Sequence, residues 1–179
     1  MMRVYLDTSV YNRPFDDQTQ AKIFLETQAV LIILQKVEDK EIELVNSPTL
    51  EYENSRNTQI LQQYSMNRYL KMATFIQPKT TTVEQRAKQL EKDGIKALDA
   101  LHVASSEISN CDYFITCDKR LINRAQTLAT IKTVNPIDFI QEIENENPNS
   151  KQPTTTARSI NDINQSFKTY STTEIYRNL

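Results

Sequence analysis

Short apolar runs alternate along the chain with longer stretches in which apolar residues recur every three or four positions. Val4, Tyr5 and Leu6 form the first short run, which predicts a strand over residues 3–6. Ile23, Thr27, Val30, Leu31, Leu34 and Val37 then follow at helical spacing, predicting a helix over about 21–36. A second strand is expected at 42–45, and Ser47-Pro48 opens a helix, because proline suits the first helical position. Further helices are predicted over about 59–72, 83–92, 99–108, 119–126 and 136–143, with extended segments at 74–77, 113–116 and 132–134. Strands alternating with helices predict an α/β fold, a parallel sheet covered on both faces.

The pattern changes after Ile143. Asparagine, proline, serine and threonine dominate there, with little to bury. One folded domain is therefore expected over 1–143, a polar linker over 144–158 and a C-terminal tail over 159–179. Ile160, Ile163, Phe167 and Tyr170 recur in that tail at helical spacing, which suits a weakly helical appendage or a partner-binding or self-docking helix.

Composition narrows the function. A chain of 179 residues is long enough for one domain with a proper core. A net charge of −2 provides no global basic field for nucleic acid, although bound divalent ions could supply local positive charge. No signal-peptide pattern and no membrane-length apolar run is visible, so a cytoplasmic protein is expected. The single glycine, Gly94, cannot build a P-loop or a dinucleotide fingerprint, and its place after Lys92-Asp93 suits a left-handed helix cap. Cys111 and Cys117 flank one predicted strand; extended chain of that length spans roughly 20 Å, whereas a disulfide needs Cα atoms within about 7 Å. Two reduced thiols fit a cytosolic setting, and one histidine supplies a Cys/His zinc site poorly.

Four acids remain at the edges of the predicted elements. Asp7 ends the first strand, Glu53 follows the second, Asp99 leads an alanine-rich helix and Asp118 follows the strand at 113–116. Chemistry in a parallel sheet collects outside the carboxyl ends of its strands. Crowded carboxylates raise one another's pKa unless a cation neutralises them, and oxygen donors suit Mg²⁺ or Mn²⁺. Each aspartate also has an ordinary role available, since all three stand where a helix or turn begins and aspartate caps helices well. Glu51 competes with Glu53, but residues two apart on a helix point to nearly opposite sides. Glu53 shares the core-facing side of Leu50, while Glu51 faces solvent with Ser55.

Arg13, Lys119 and Arg120 could hold substrate phosphates or be solvated surface charges. His102, one turn after Asp99, could relay protons or be a hydrogen-bonded packing residue. Tyr5, Tyr11 and Phe15 could stack on bases, with core packing the ordinary alternative.

Four short motifs in this order resemble the PIN-domain nucleases, the family that includes the VapC-type toxins of bacterial toxin–antitoxin pairs. They are Tyr5-Leu6-Asp7-Thr8-Ser9, Ser47 followed by Glu53, Leu98-Asp99-Ala100-Leu101-His102-Val103-Ala104, and Thr116-Cys117-Asp118. The resemblance covers residues 2–143. It implies a Rossmann-like three-layer α/β/α sandwich with a central parallel sheet. It also implies a metal-dependent endoribonuclease in which Asp7, Glu53, Asp99 and Asp118 hold Mg²⁺ or Mn²⁺ and Thr116 lines the site. The role implied is the toxin of a type II pair, acting on RNA, with a protein antitoxin as partner and a homodimer allowed. The spacer at 12–17 and the tail beyond Glu144 depart from the commonest short toxins of the family. A non-catalytic PIN-like scaffold or partner-binding module, in which the acids only cap helices, is the alternative.

Overall fold

Val4, Tyr5 and Leu6 are completely buried, as a strand covered on both faces requires. They belong to β1 (Met2–Leu6), the middle strand of a five-stranded sheet in a computed structural model that describes residues 1–146. Its neighbours are β2 (Ile42–Asn46), β3 (Phe75–Ile76), β4 (Tyr113–Ile115) and β5 (Lys132–Val134), in the order β3-β2-β1-β4-β5. Every pairing is parallel, with Tyr5 opposite both Val45 and Phe114. The chain steps outward from β1 to β3, returns to β4 beside β1, and steps outward again to β5. The β1/β4 boundary is therefore the place where the winding reverses, and such reversals form ligand crevices in open α/β sheets.

The connections are α1 (Thr8–Asn12), a 3-10 turn (Arg13–Phe15), α2 (Ala21–Glu38), α3 (Pro48–Ser55), α4 (Ile60–Leu70), α5 (Thr81–Lys92), α6 (Ala97–Ile108) and α7 (Lys119–Leu128). A last helix, α8 (Pro136–Glu146), follows β5. Helices flank the parallel sheet, as expected for a PIN-like α/β sandwich. Sequence periodicity predicts neither α1 nor the 3-10 turn, because a single turn is too short to show a period. Helix α6 begins at Ala97, so Lys96 takes the N-cap position expected for Asp99.

Several helix ends share one physical solution. Gly94, at φ +100°, donates to Glu91 O at 3.0 Å while Ile95 donates to Leu90 O at 3.0 Å, so both orphan carbonyls are satisfied. Leu90 and Ile95 on either side of the turn are both buried. Lys40 and Asn110 occupy the same left-handed position after α2 and α6, at φ 59° and 53°. Lys40 does so without glycine's steric freedom.

A bidentate ion pair fastens the far side of the domain. Arg86 on α5 grips Glu107 on α6 at 2.6 and 3.0 Å and donates to Leu128 O at 2.9 Å. Glu107 accepts in turn from the Thr130 backbone at 2.6 Å, which joins α5, α6 and the α7–β5 connection.

The chain divides after Glu142, with a second unit beginning at Ile143. Helix α8 runs to Glu146, into the segment expected as linker. The rest of that linker and the tail over 159–179 lie outside the described residues. No helix among the described residues is long and apolar enough to cross a membrane. Cys111 and Cys117 are free thiols on either side of β4.

Candidate active site

The β1–β4 ladder extends one residue beyond the strand, because the Asp7 N–H donates to Ile115 O at 2.9 Å. That bond sets the Asp7 carboxylate against the turn that leaves β4. Asp7 stands at the N-cap position of α1, yet its side chain makes no capping bond. Its Oδ2 instead accepts from Ser9 Oγ at 2.6 Å and Thr116 Oγ1 at 2.7 Å. Each hydroxyl carries one proton, and both protons point at Asp7. The 3.2 Å separation of Ser9 and Thr116 is thus a contact without a proton between them. Each hydroxyl accepts a backbone N–H from the same turn: Cys117 to Ser9 at 3.0 Å and Asp118 to Thr116 at 3.1 Å. The turn after β4 therefore clasps Asp7 through two hydroxyls.

Ser47 caps α3 by accepting from the Leu50 N–H, and this short helix brings Glu53 to the same place. Glu53 Oε2 accepts from Thr8 Oγ1 and lies 2.7 Å from His102 Nε2. Asp7, Glu53 and His102 converge so closely that one ligand atom of each lies within 4.8 Å of the others. His102 Nε2 is 4.0 Å from Asp7 Oδ1. Both carboxylates are gripped by one oxygen only. Asp7 Oδ1 and Glu53 Oε1 accept no hydrogen bond among the described residues. Glu51 is exposed and turned away, where it accepts from Asn46 Nδ2 at 2.9 Å.

Asp99 and Asp118 stand outside that cluster but beside it. Burial pushes the Asp99 carboxyl above its ordinary range; the charges of Asp7 and Asp118 push it the same way, against His102 and Lys96. No described group donates a hydrogen bond to its side chain. Asp118 is an N-cap: its Oδ1 accepts from the N–H groups of Arg120 at 2.7 Å and Leu121 at 3.2 Å. Of the three aspartates with a capping role available, only Asp118 fulfils it.

Burial opposes the charge on Glu53, yet the His102 and Thr8 hydrogen bonds hold its pKa below the ordinary glutamate value. Burial likewise opposes charge on His102, but Glu53, Asp7 and Asp99 together carry its pKa upward. His102 is the packing residue that the ordinary reading expected, and it also touches the acids. The hydroxyls of Thr8 and Ser9 were missed as functional groups, although their place directly after Asp7 was a visible signal.

The other candidates sort by burial. Arg13 is largely buried and paired with Asp16 at 2.8 Å and Glu26 at 3.1 Å, so it braces the segment before α2. Lys119 and Arg120 are exposed at the start of α7. Tyr5 and Tyr11 are buried, which removes them as base-stacking surfaces.

The PIN domain family model matches residues 4–127 of the chain. Among solved structures, the chain is similar to one titled as the crystal structure of VapBC2 from Rickettsia felis bound to a DNA fragment from their promoter. The match has 15% sequence identity and a TM-score of 0.49, and covers 75% of this chain and 98% of that chain. No curated protein matches the sequence.

Proposed function

The chain belongs to the PIN domain family, and from that premise we propose that it is a Mg²⁺- or Mn²⁺-dependent endoribonuclease. The observation that carries the proposal is the pair of half-held carboxylates at the winding reversal. Asp7 and Glu53 each keep one oxygen fixed and one oxygen without a hydrogen bond among the described residues, and one ligand atom of each lies within 4.8 Å of the other and of His102. Two anionic oxygens in a part-buried crevice fit a hard divalent cation, which prefers oxygen donors. Asp99 and Asp118 complete the proposed ligand set. The raised pKa of Asp99 supports that placement: burial is its main cause, and a cation would relieve the repulsion from Asp7 and Asp118 that adds to it.

When bound, such an ion supplies Lewis-acid stabilisation of charge on a phosphodiester and a more acidic water. The chain's own contribution is orientation. Ser9 and Thr116 fix the Asp7 carboxylate, and Thr8 and His102 fix that of Glu53, so little reorganisation is left for the moment of reaction. The exposure of Lys119 and Arg120 next to Asp118 supports a role for them in contacting an RNA backbone.

We further read the protein as the toxin of a type II toxin–antitoxin pair, acting on RNA in the cytoplasm and restrained by a protein antitoxin. The four motifs in order support that role. A non-catalytic scaffold is favoured by one observation alone, the capping duty of Asp118.

RNA cleavage with and without chelator, measured beside Asp7→Asn, tests the nuclease. Cleavage should vanish in chelator and in the variant. Glu53→Gln should remove far more activity than Glu51→Gln, because Glu51 faces away from the cluster. Equal losses from both glutamate changes, or full cleavage by Asp7→Asn, would exclude this site.

A further inference from the structure

We propose that Tyr5, Ser47 and His102 form a buried positioning network that sets Asp7, Glu53 and Asp99 relative to one another. In it, His102 acts on Glu53 through its Nε2–H and is not itself a metal ligand. The inference rests on the nuclease reading for its functional meaning, though not for its geometry.

Each member of the network shares an element with one of the acids. Tyr5 lies on β1, which ends at Asp7; Ser47 caps α3, which carries Glu53; His102 lies on α6, one turn beyond Asp99. All three side chains are essentially excluded from solvent. The Tyr5 hydroxyl meets Ser47 Oγ at 2.6 Å and His102 Nδ1 at 2.8 Å. The Tyr5 ring packs edge-on against the imidazole, with centroids 5.7 Å apart, so neither ring can turn freely. Three elements that are far apart in sequence are thereby pinned at one buried point beneath the acids.

Counting protons gives the network a direction. The Leu50 N–H donates to Ser47 Oγ, Ser47 Oγ–H to the Tyr5 oxygen, Tyr5 O–H to His102 Nδ1, and His102 Nε2–H to Glu53 Oε2. Every proton is used once and no buried donor is left over. Ligation of a metal by Nε2 breaks this chain. The imidazole proton would move to Nδ1, the Tyr5 hydroxyl would have to donate to Ser47, and the Ser47 proton would lose its acceptor in a dry interior. Glu53 would also lose its imidazole donor. Leaving buried polar groups unmatched carries the full desolvation penalty, so the arrangement favours His102 as the group that orients a ligand.

His102 is the chain's single histidine, so its two ring nitrogens can be read without assignment ambiguity. Long-range ¹H–¹⁵N correlation spectra of the full chain, at a pH where the imidazole is neutral, should show the Nε2–H tautomer both metal-free and with saturating Mg²⁺. A switch to Nδ1–H on adding Mg²⁺ would overturn the proposal. Tyr5→Phe keeps the ring but removes the hydroxyl that donates to Nδ1. It should mix the tautomers and weaken Mn²⁺ binding by about tenfold or more, the usual effect of removing a group that orients a ligand. His102→Gln can still donate to Glu53 and should bind Mn²⁺ better than His102→Leu. A Tyr5→Phe protein with wild-type tautomer and wild-type Mn²⁺ affinity would also overturn the proposal. The two levels fail separately. Absence of Mn²⁺ binding by the wild type would overturn the metal reading, whereas an Nδ1–H tautomer with intact Mn²⁺ binding would overturn the network alone.

Discussion

Replacing Thr116 by valine removes one buried hydroxyl and little else. Thr116 is completely buried, and valine has nearly its shape, so packing is preserved. Two hydrogen bonds disappear, the one donated to Asp7 Oδ2 at 2.7 Å and the one accepted from the Asp118 N–H at 3.1 Å. A hydrogen bond to a charged group is worth about 1.5–3 kcal/mol, and a buried donor left unmatched costs about 1–3 kcal/mol. Asp7 keeps Ser9, and the Asp118 N–H lies at the edge of the turn, so the lower half of each range applies. A loss of about 2–4 kcal/mol is expected, a large fraction of the roughly 5–15 kcal/mol that holds a domain folded.

Urea denaturation in chelator reads this loss as a lower midpoint with an unchanged slope. Thr116→Ser, which keeps the hydroxyl, should recover most of it. Ser9→Ala should be costly too, and the double variant should depart from additivity by about 0.5–3 kcal/mol, because the two hydroxyls share one carboxylate oxygen. Mn²⁺ affinity should fall in each valine or alanine variant as the Asp7 carboxylate loosens. A Thr116→Val protein within 0.5 kcal/mol of wild type, with unchanged Mn²⁺ affinity, would refute the clasp.

Asp99→Asn removes a charge that burial and its neighbours disfavour, so it should melt higher than wild type in chelator, while Mn²⁺ should stabilise the variant much less; equal melting and equal response to Mn²⁺ would contradict this. Burial opposes the charge on Glu107, yet Arg86 and Thr130 hold its pKa below the ordinary value. Its contribution to stability should be complete above the unfolded value of about 4.3 and fade as pH falls through the lower folded value. The stability gap between wild type and Glu107→Gln, followed by urea melts across that acid range, should close. Lys40→Gly should raise the urea midpoint, because a left-handed non-glycine residue is strained by about 1–2 kcal/mol and glycine loses only part of that in chain entropy.

The layered architecture was legible in the sequence because strands buried on both faces read as short apolar runs. Tyr5, Phe114 and the residues around them announce β1 and β4 directly. Glu53 was legible for a related reason: helical geometry forbids Glu51 from sharing its side with Leu50, and the structure turns Glu51 outward. Local rules failed where a role depends on a partner distant in sequence. Asp7, Asp99 and Asp118 all occupy positions where capping is plausible, yet Asp118 alone makes capping bonds. What separates Asp7 from Asp118 is the pair of hydroxyls around Asp7, one of them brought from beyond β4 by strand pairing. Packing was one of two roles open to each of Tyr5 and His102, and both are buried. Their hydrogen bonds to each other and to Ser47 join three segments that no local window contains.

The acids differ in how the metal-free protein accommodates them. Asp7 receives two hydroxyl donors, and Glu53 a hydroxyl and an imidazole. Those donors offset part of the repulsion between the carboxylates, so the crevice can fold before any cation arrives. Asp99 has no such donor among the described residues, and burial, with the charges of Asp7 and Asp118, raises its pKa. Burial and neighbouring charge thus oppose ionisation at one residue of α6, Asp99. A cation bound by Asp7 and Glu53 would gain additional affinity by relieving Asp99, because whatever destabilises the metal-free state is recovered on binding. Placing His102 one turn beyond Asp99 has a mechanical consequence: the helix that bears this acid is the same helix that the buried network fixes in place. The opposition to its charge is thus less able to dissipate through movement of α6, and more of it remains available to favour the cation.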